Sequence, residues 1–142
     1  MILIDTNLLI YVVNHDAPSH QRAKKWLEAA MSGPETVGFS WNALLAFLRI
    51  STRPGVFRKP LAVRQAVDLV DGWLDRPVSA ILNPGSQHGK LLRQLLISVG
   101  TAGNLTSDAH LAALAIEHEA VLCSADSDFS RFAGLKWHNP LT

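Results

Sequence analysis

Short apolar runs alternate along this chain with segments of helical period, and that alternation most restricts what it can fold into. Ile2-Leu3-Ile4, Val37-Gly38-Phe39, Val78 to Leu82 and Ala120 to Ser124 are brief, continuous and bounded by turn residues, the pattern of strands buried in a parallel sheet. Leu135-Lys136-Trp137 is a candidate fifth strand. Between them the spacing predicts helices over Leu8–Val13, Ser19–Met31, Trp41–Ser51, Leu61–Leu74, Ser86–Val99 and Leu105–Glu119. In the third of these, Trp41, Leu44, Leu45 and Leu48 share one face, and Trp26, Trp41 and Trp73 are all expected in the core. Strands separated by helices specify an α/β fold with a mainly parallel sheet. No linker, repeat or low-complexity stretch divides residues 1–142, which read as one domain.

Composition removes several classes. Hydrophobic residues are 48% and charged residues 18%, enough apolar side chain to bury a core and against global disorder. The net charge of +1 steers the whole molecule neither towards nor away from a polyanion. The single cysteine, Cys123, permits no internal disulfide and suits a reducing compartment. No apolar run approaches a membrane span, and Met1-Ile2-Leu3-Ile4-Asp5 has no basic leader, so a cytoplasmic protein is expected.

Charge is balanced overall but locally sorted. Arg49, Arg53, Arg58, Lys59 and Arg64 occur with no acid among them, and Leu95 to Ser130 holds five acids and no base. A solvated basic loop and an ordinary acidic face would satisfy that pattern. A fold bringing the two together would make an acidic pocket with a basic flank.

The acids sit at meaningful places. Asp5 follows the first strand, Asp126 and Asp128 follow the fourth, and Asp108 opens the helix before it. Open α/β sheets bind ligands outside the carboxyl ends of their strands. If the first and fourth strands are neighbours, these carboxylates converge, and converging carboxylates need a cation or protons. An all-oxygen set suits Mg²⁺ or Mn²⁺, which activates water and offsets charge on a phosphodiester. Each acid also has an ordinary role open to it: Asp5 as a helix cap, Asp108 against the helix dipole, Asp126 and Asp128 as turn residues.

Other chemistry is poorly supported. Cys123 falls inside a buried strand, and His15 and His20 lack partners at zinc-ligand spacing. His110 and His118 are expected on a helix surface, with His110 close enough to Asp108 to touch substrate. No Gly-x-Ser-x-Gly elbow, Walker loop or dinucleotide fingerprint occurs.

Three segments together resemble the PIN-domain ribonucleases, of the VapC toxin type found in bacterial toxin–antitoxin pairs. They are Met1-Ile2-Leu3-Ile4-Asp5-Thr6-Asn7, Asn104 to Ala115 around Asp108, and Cys123-Ser124-Ala125-Asp126-Ser127-Asp128-Phe129, with Ser124 where the family carries threonine. The resemblance covers nearly the whole chain. It implies a three-layer α/β/α fold with a parallel five-stranded sheet and a Mg²⁺- or Mn²⁺-dependent endoribonuclease. It implies Asp5, Asp108 and Asp126 as catalytic metal ligands, Asp128 as a further acid, and Asn7 and Ser124 as residues orienting the carboxylates. Water would attack the phosphodiester in line, leaving a 5′-phosphate and a 3′-hydroxyl. Arg49, Arg53, Arg58, Lys59 and Arg64 are candidate contacts to RNA phosphates, and Arg49 could instead pair with the acids. A homodimer and a cognate VapB-type antitoxin inserting a segment into the groove are implied as partners. Transfer or ribosomal RNA is a plausible substrate, in a structured loop rather than a duplex, since unstacked bases can be read.

One departure stands out. Many family members carry a glutamate before a Phe/Leu-Leu-Arg stretch on the helix after the second strand. Here Ala46 precedes Phe47-Leu48-Arg49, and no acid lies between Glu35 and Asp68. The cluster loses a charge, and Asn42 or Ser40 is left to hold a water there. A weak or inactive module that binds RNA or an antitoxin is therefore a second reading. Phosphotransfer readings fit worse. A haloacid-dehalogenase site needs an acid where Asn7 stands, and a receiver domain needs an early acid pair that is missing.

Overall fold

A computed structural model describes residues 1–142. The elements are β1 (Ile2–Ile4), α1 (Thr6–Val13), α2 (His20–Ser32), β2 (Val37–Phe39), α3 (Trp41–Ser51), α4 (Val63–Leu74), β3 (Ser79–Ile81), α5 (His88–Val99), α6 (Thr106–Glu117), β4 (Val121–Cys123) and β5 (Trp137–His138). Short 3-10 turns cover Gly103–Leu105 and Ser127–Arg131. The five strands form one sheet in the order β3-β2-β1-β4-β5, every pair parallel. β1 and β4, on whose adjacency the convergence of the acids depends, pair directly, Ile4 opposite Cys123. No helix is long and apolar enough to cross a membrane.

Two-residue alternation in the strands explains the layers. Ile4, Val37, Phe39 and Cys123 point to one face, where Leu8, Leu9, Leu27, Leu44, Phe47 and Val70 from α1 to α4 cover them. Leu3 and Leu122 point to the other, against α5, α6 and Phe129. Burial pushes the Cys123 thiol up to about 12, so it acts as an apolar residue. In α6, Ala109 and Leu111 to Ala115 are all buried, and the small side chains let this helix lie against the sheet. Gly38 is needed for a close approach: a Cβ there would lie 2.9 Å from the Ile2 carbonyl oxygen.

Two expectations for side chains fail. Trp41 is 48% and Leu45 55% exposed, and the buried face of α3 is Ala43, Leu44 and Phe47 instead. The helix is rotated because Ser40 caps it and Ala43 faces the start of α1, where Thr6 Oγ1 donates to the Ala43 carbonyl at 3.0 Å. Trp26 and Trp73 pack at the edge of the core, half-buried. The last strand lies two residues later than Leu135, and several helix bounds shift by one or two positions.

The sequence of crossovers fixes where a site can form. From β1 the chain runs to β2 and β3 with α1–α4 on one face, then returns over the other face through α5 and α6 to β4. Strand order reverses between β1 and β4, and their carboxyl ends open a crevice at that switch.

Candidate active site

Asp5 leaves β1 and caps α1. Its Oδ1 accepts from the Thr6 N–H at 2.7 Å, and its Oδ2 accepts from Ser124 Oγ at 2.7 Å. Ser124, the residue after β4, is fully buried, and its hydroxyl is saturated. It donates to Asp5 and accepts from Asn7 Nδ2 at 3.1 Å and from the Asp126 N–H at 3.0 Å. Asn7 Oδ1 in turn accepts from the Ala125 N–H at 3.3 Å. One small hydroxyl thus ties together the ends of β1 and β4 and the first turn of α1. Trp137 of β5 holds the same point from outside, its Nε1–H donating to the Ser124 carbonyl at 3.0 Å. The sequence shows Trp137 only as part of a candidate strand, because its hydrogen-bond partner lies across a strand pair.

Asp126 fills the turn role and does not line the cavity that holds Asp5 and Asp108. It caps the 3-10 turn, accepting from the Asp128 N–H at 2.9 Å, and its charge is felt at both Asp5 and Asp108. Asp128 is exposed and acts on Asp108 through its charge alone. Asp108, in the first turn of α6, is half-buried. Desolvation first, then the charges of Asp5, Asp126 and Asp128, push it up to about 6. Asp5 is also raised, chiefly by burial, against the lowering effect of its Ser124 and Thr6 hydrogen bonds.

Asp5 and Asp108 share a cavity of about 410 Å³ with Thr6, Asn7, Ile10, Tyr11 and Ser107. Its opposite wall is α3 and the segment after it: Asn42, Ala43, Ala46, Arg49, Ile50 and Val56. Ala46 therefore lines the same cavity as the acids and brings no carboxylate to it. Of the two candidates to hold a water there, Asn42 lines the cavity, while the buried Ser40 Oγ caps α3 by accepting from the Ala43 N–H. Among the expected basic contacts only Arg49 lines the cavity. Arg53, Arg58 and Lys59 lie exposed on the segment between α3 and α4, and Arg64 is exposed in the first turn of α4. Tyr11 was missed, although it stands one helical turn beyond Asn7. His110 turns away from the cavity towards buried His88, with ring nitrogens 3.0 Å apart. His118 binds the Asn83 carbonyl at the far end of α6.

No three Asp, Glu, His or Cys side chains stand close enough to form a ready metal cage. Asp5 is instead turned to Thr6 and Ser124. The donor set still fits a hard divalent cation. It is all oxygen, and its crowded charge has no cationic partner, since the protein's one ion pair joins the Met1 amine to Glu35. Mg²⁺ keeps several waters and is commonly held by only one or two carboxylates.

Comparison with known proteins agrees. A family model described as PIN domain matches residues 2–135. Ribonuclease VapC37 of Mycobacterium tuberculosis is 45% identical over 140 residues, spanning 99% of this chain and 97% of that protein. Ribonuclease VapC33 of the same species is 42% identical over 141 residues, 99% of each. Among solved structures, M. tuberculosis VapC20, a sarcin-ricin-loop-cleaving toxin, superposes with a TM-score of 0.71 at 20% identity over 96% of this chain and 99% of its own. VapBC2 of Rickettsia felis, bound to a promoter DNA fragment, gives 0.70 at 22% over 98% of each. At that identity the structures attest the fold, and the sequence matches carry the kinship: the chain belongs to the PIN-domain family, among its VapC-type ribonucleases.

Proposed function

We propose that this chain is the toxin of a toxin–antitoxin pair and an endoribonuclease that hydrolyses RNA phosphodiester bonds with Mg²⁺ or Mn²⁺. The observation that carries the reading is the pairing of Asp5 with Asp108 across one cavity at the β1/β4 switch, their charges unmatched by any base. In the reading, Asp5 and Asp108 hold the cation, Asp126 supports it through its charge on both, and Asp128 adds charge at the rim. When bound, such an ion supplies Lewis acidity, lowering the pKa of water and offsetting charge on the phosphodiester. Asn7 and Ser124 hold Asp5 in one orientation, and Arg49 and the bases after α3 draw in the phosphate backbone. A VapB-type antitoxin would block the same cavity. The reading also includes a homodimer and a cytoplasmic site of action. Light scattering of the purified chain tests the dimer.

The decisive experiment maps new RNA 5′ ends after adding the antitoxin-free protein to total cellular RNA in Mg²⁺, Mn²⁺ or EDTA, with Asp5→Ala as control. Cuts that need both metal and Asp5 are expected. A second reading rests on Ala46, which leaves the α3 wall without an acid: the chain would then bind RNA or its antitoxin without cutting. Absence of cleavage by folded protein in either metal would select it.

A further inference from the structure

The cavity is larger and more apolar than a cation and a phosphate need. Ile10, Tyr11, Ala46, Ile50, Val56 and Leu111 line it beside the acids, and its volume of about 410 Å³ falls within the usual range of small-molecule sites. On α3, Asn42, Ala46 and Arg49 follow one another at helical spacing, so a small apolar residue separates two polar ones on a single stripe. Arg49 has no carboxylate partner. Tyr11 enters the hydrogen-bond network outside its helix only through its backbone carbonyl, which accepts from His20 Nδ1 at 2.9 Å. Its side chain, half-buried against the core, also lines the cavity.

From this arrangement we infer that the cavity is a nucleobase site, which takes one unstacked purine of the RNA beside the scissile phosphate. The inference rests on the ribonuclease reading and names what that site recognises. Tyr11 supplies an aromatic face. Ala46, Ile50 and Val56 make the apolar floor on which a base replaces water. Asn42 and Arg49 supply the edge contacts. An amide matches adenine N6 and N7, and a guanidinium matches guanine O6 and N7, an edge that pyrimidines lack, and the two-ring purine covers more of the apolar lining than a pyrimidine does. Base specificity in RNA recognition commonly comes from unstacked bases held in this way.

The test uses the full antitoxin-free chain in EDTA, so that binding is read without cleavage. Each of the four nucleoside 5′-monophosphates is titrated while the methyl signals of Ala46, Ile50 and Val56 are followed by NMR. A purine nucleotide is expected to shift them with at least about fivefold higher affinity than either pyrimidine. Tyr11→Ala should weaken that binding about tenfold, the scale of one lost base–aromatic stack. Ala46→Leu should fill the floor and abolish it. Equal binding of all four nucleotides, no binding, or displacement of the signals only by an apolar peptide would overturn the inference. If Ala46→Leu misfolds, Tyr11→Ala carries the test alone. With metal present, Asn42→Ala should flatten the base preference at one position next to the cut. Cleavage with an unchanged preference sinks the base site and leaves the ribonuclease standing. Purine binding without any cleavage does the reverse.

Discussion

The two walls of the cavity are built differently. At the ends of β1 and β4 the polar atoms are held: both oxygens of Asp5, the hydroxyl of Ser124 and both ends of the Asn7 amide have partners, and of the acids lining the cavity only the Asp108 carboxylate has none. On the α3 wall, Ala46 adds no polar atom, Arg49 has no ion-pair partner and Val56 is 54% exposed. The first wall is preorganised around negative charge and carries the cost of that charge. The second is open and largely apolar, suited to meeting a substrate rather than an ion. Fixed charge in a half-buried place does chemistry, and unsatisfied surface next to it does recognition.

The largest effect should come from breaking the held wall. Asp5→Asn keeps an N-cap side chain for α1, so the fold survives. It removes a charge that supports several kcal/mol of transition-state stabilisation, and cleavage should fall by about 10³-fold or more. RNA affinity measured in EDTA should hold or rise as repulsion drops. An Asp5→Asn protein that still cuts at the same sites would remove Asp5 from the chemistry. Next, Ser124→Ala deletes the hydroxyl at the centre of the network. Supporting residues of this kind are worth about 10–100-fold in metal affinity or activity, so Mn²⁺ titration should show a loss of that size. Restoration by Ser124→Thr would separate the hydroxyl's role from mere packing.

Ala46→Glu sharpens the contrast from the other side, by placing a carboxylate on the open wall. Mn²⁺ affinity should rise about tenfold with the added ligand charge, while the metal-free protein becomes less stable. Unchanged affinity would mean that α3 stands outside the cation's reach.

Asp108 gives a smaller, pH-dependent effect. Its pKa rises from 3.8 to about 6 on folding, so over that window the folded state binds protons more readily than the unfolded state. Stability from this group is therefore greatest below pH 3.8 and falls as pH rises through about 6. Asp108→Asn should raise the metal-free stability at pH 7 by on the order of 1 kcal/mol, since solvent screens a half-exposed carboxylate, and should flatten the slope of melting temperature with pH. Protons should also compete with the cation below about pH 6, lowering its affinity. The smallest effect belongs to the exposed bases. Lys59→Ala should weaken binding alike for all RNA sequences and lower the salt slope by about one, read by titration at several ionic strengths.

Much of this was legible in the chain itself, for reasons that can be named. Ile2-Leu3-Ile4 running into Asp5 can hardly be anything but a buried strand delivering an acid to its carboxyl end. Ser-Ala-Asp-Ser-Asp after Val121–Cys123 does the same on the neighbouring strand. Local pattern carries such information because strand period, capping and turn chemistry act within a few residues. The orientation of α3 was not legible. Trp41 and Leu45 share an apolar stripe with Leu44, yet the cap at Ser40 and the Thr6 contact to Ala43 turn them outward.

By itself the sequence determined the α/β class, the acids and the order in which strands present them, because each depends on residues close together in the chain. Only the tertiary structure decided that one serine hydroxyl joins β1 to β4, that Trp137 braces it, and that Tyr11 meets Asn42, Ala46 and Arg49 across a cavity. Those partners lie far apart in sequence, and contacts between them exist only once the hydrophobic effect has packed helices onto both faces of the sheet.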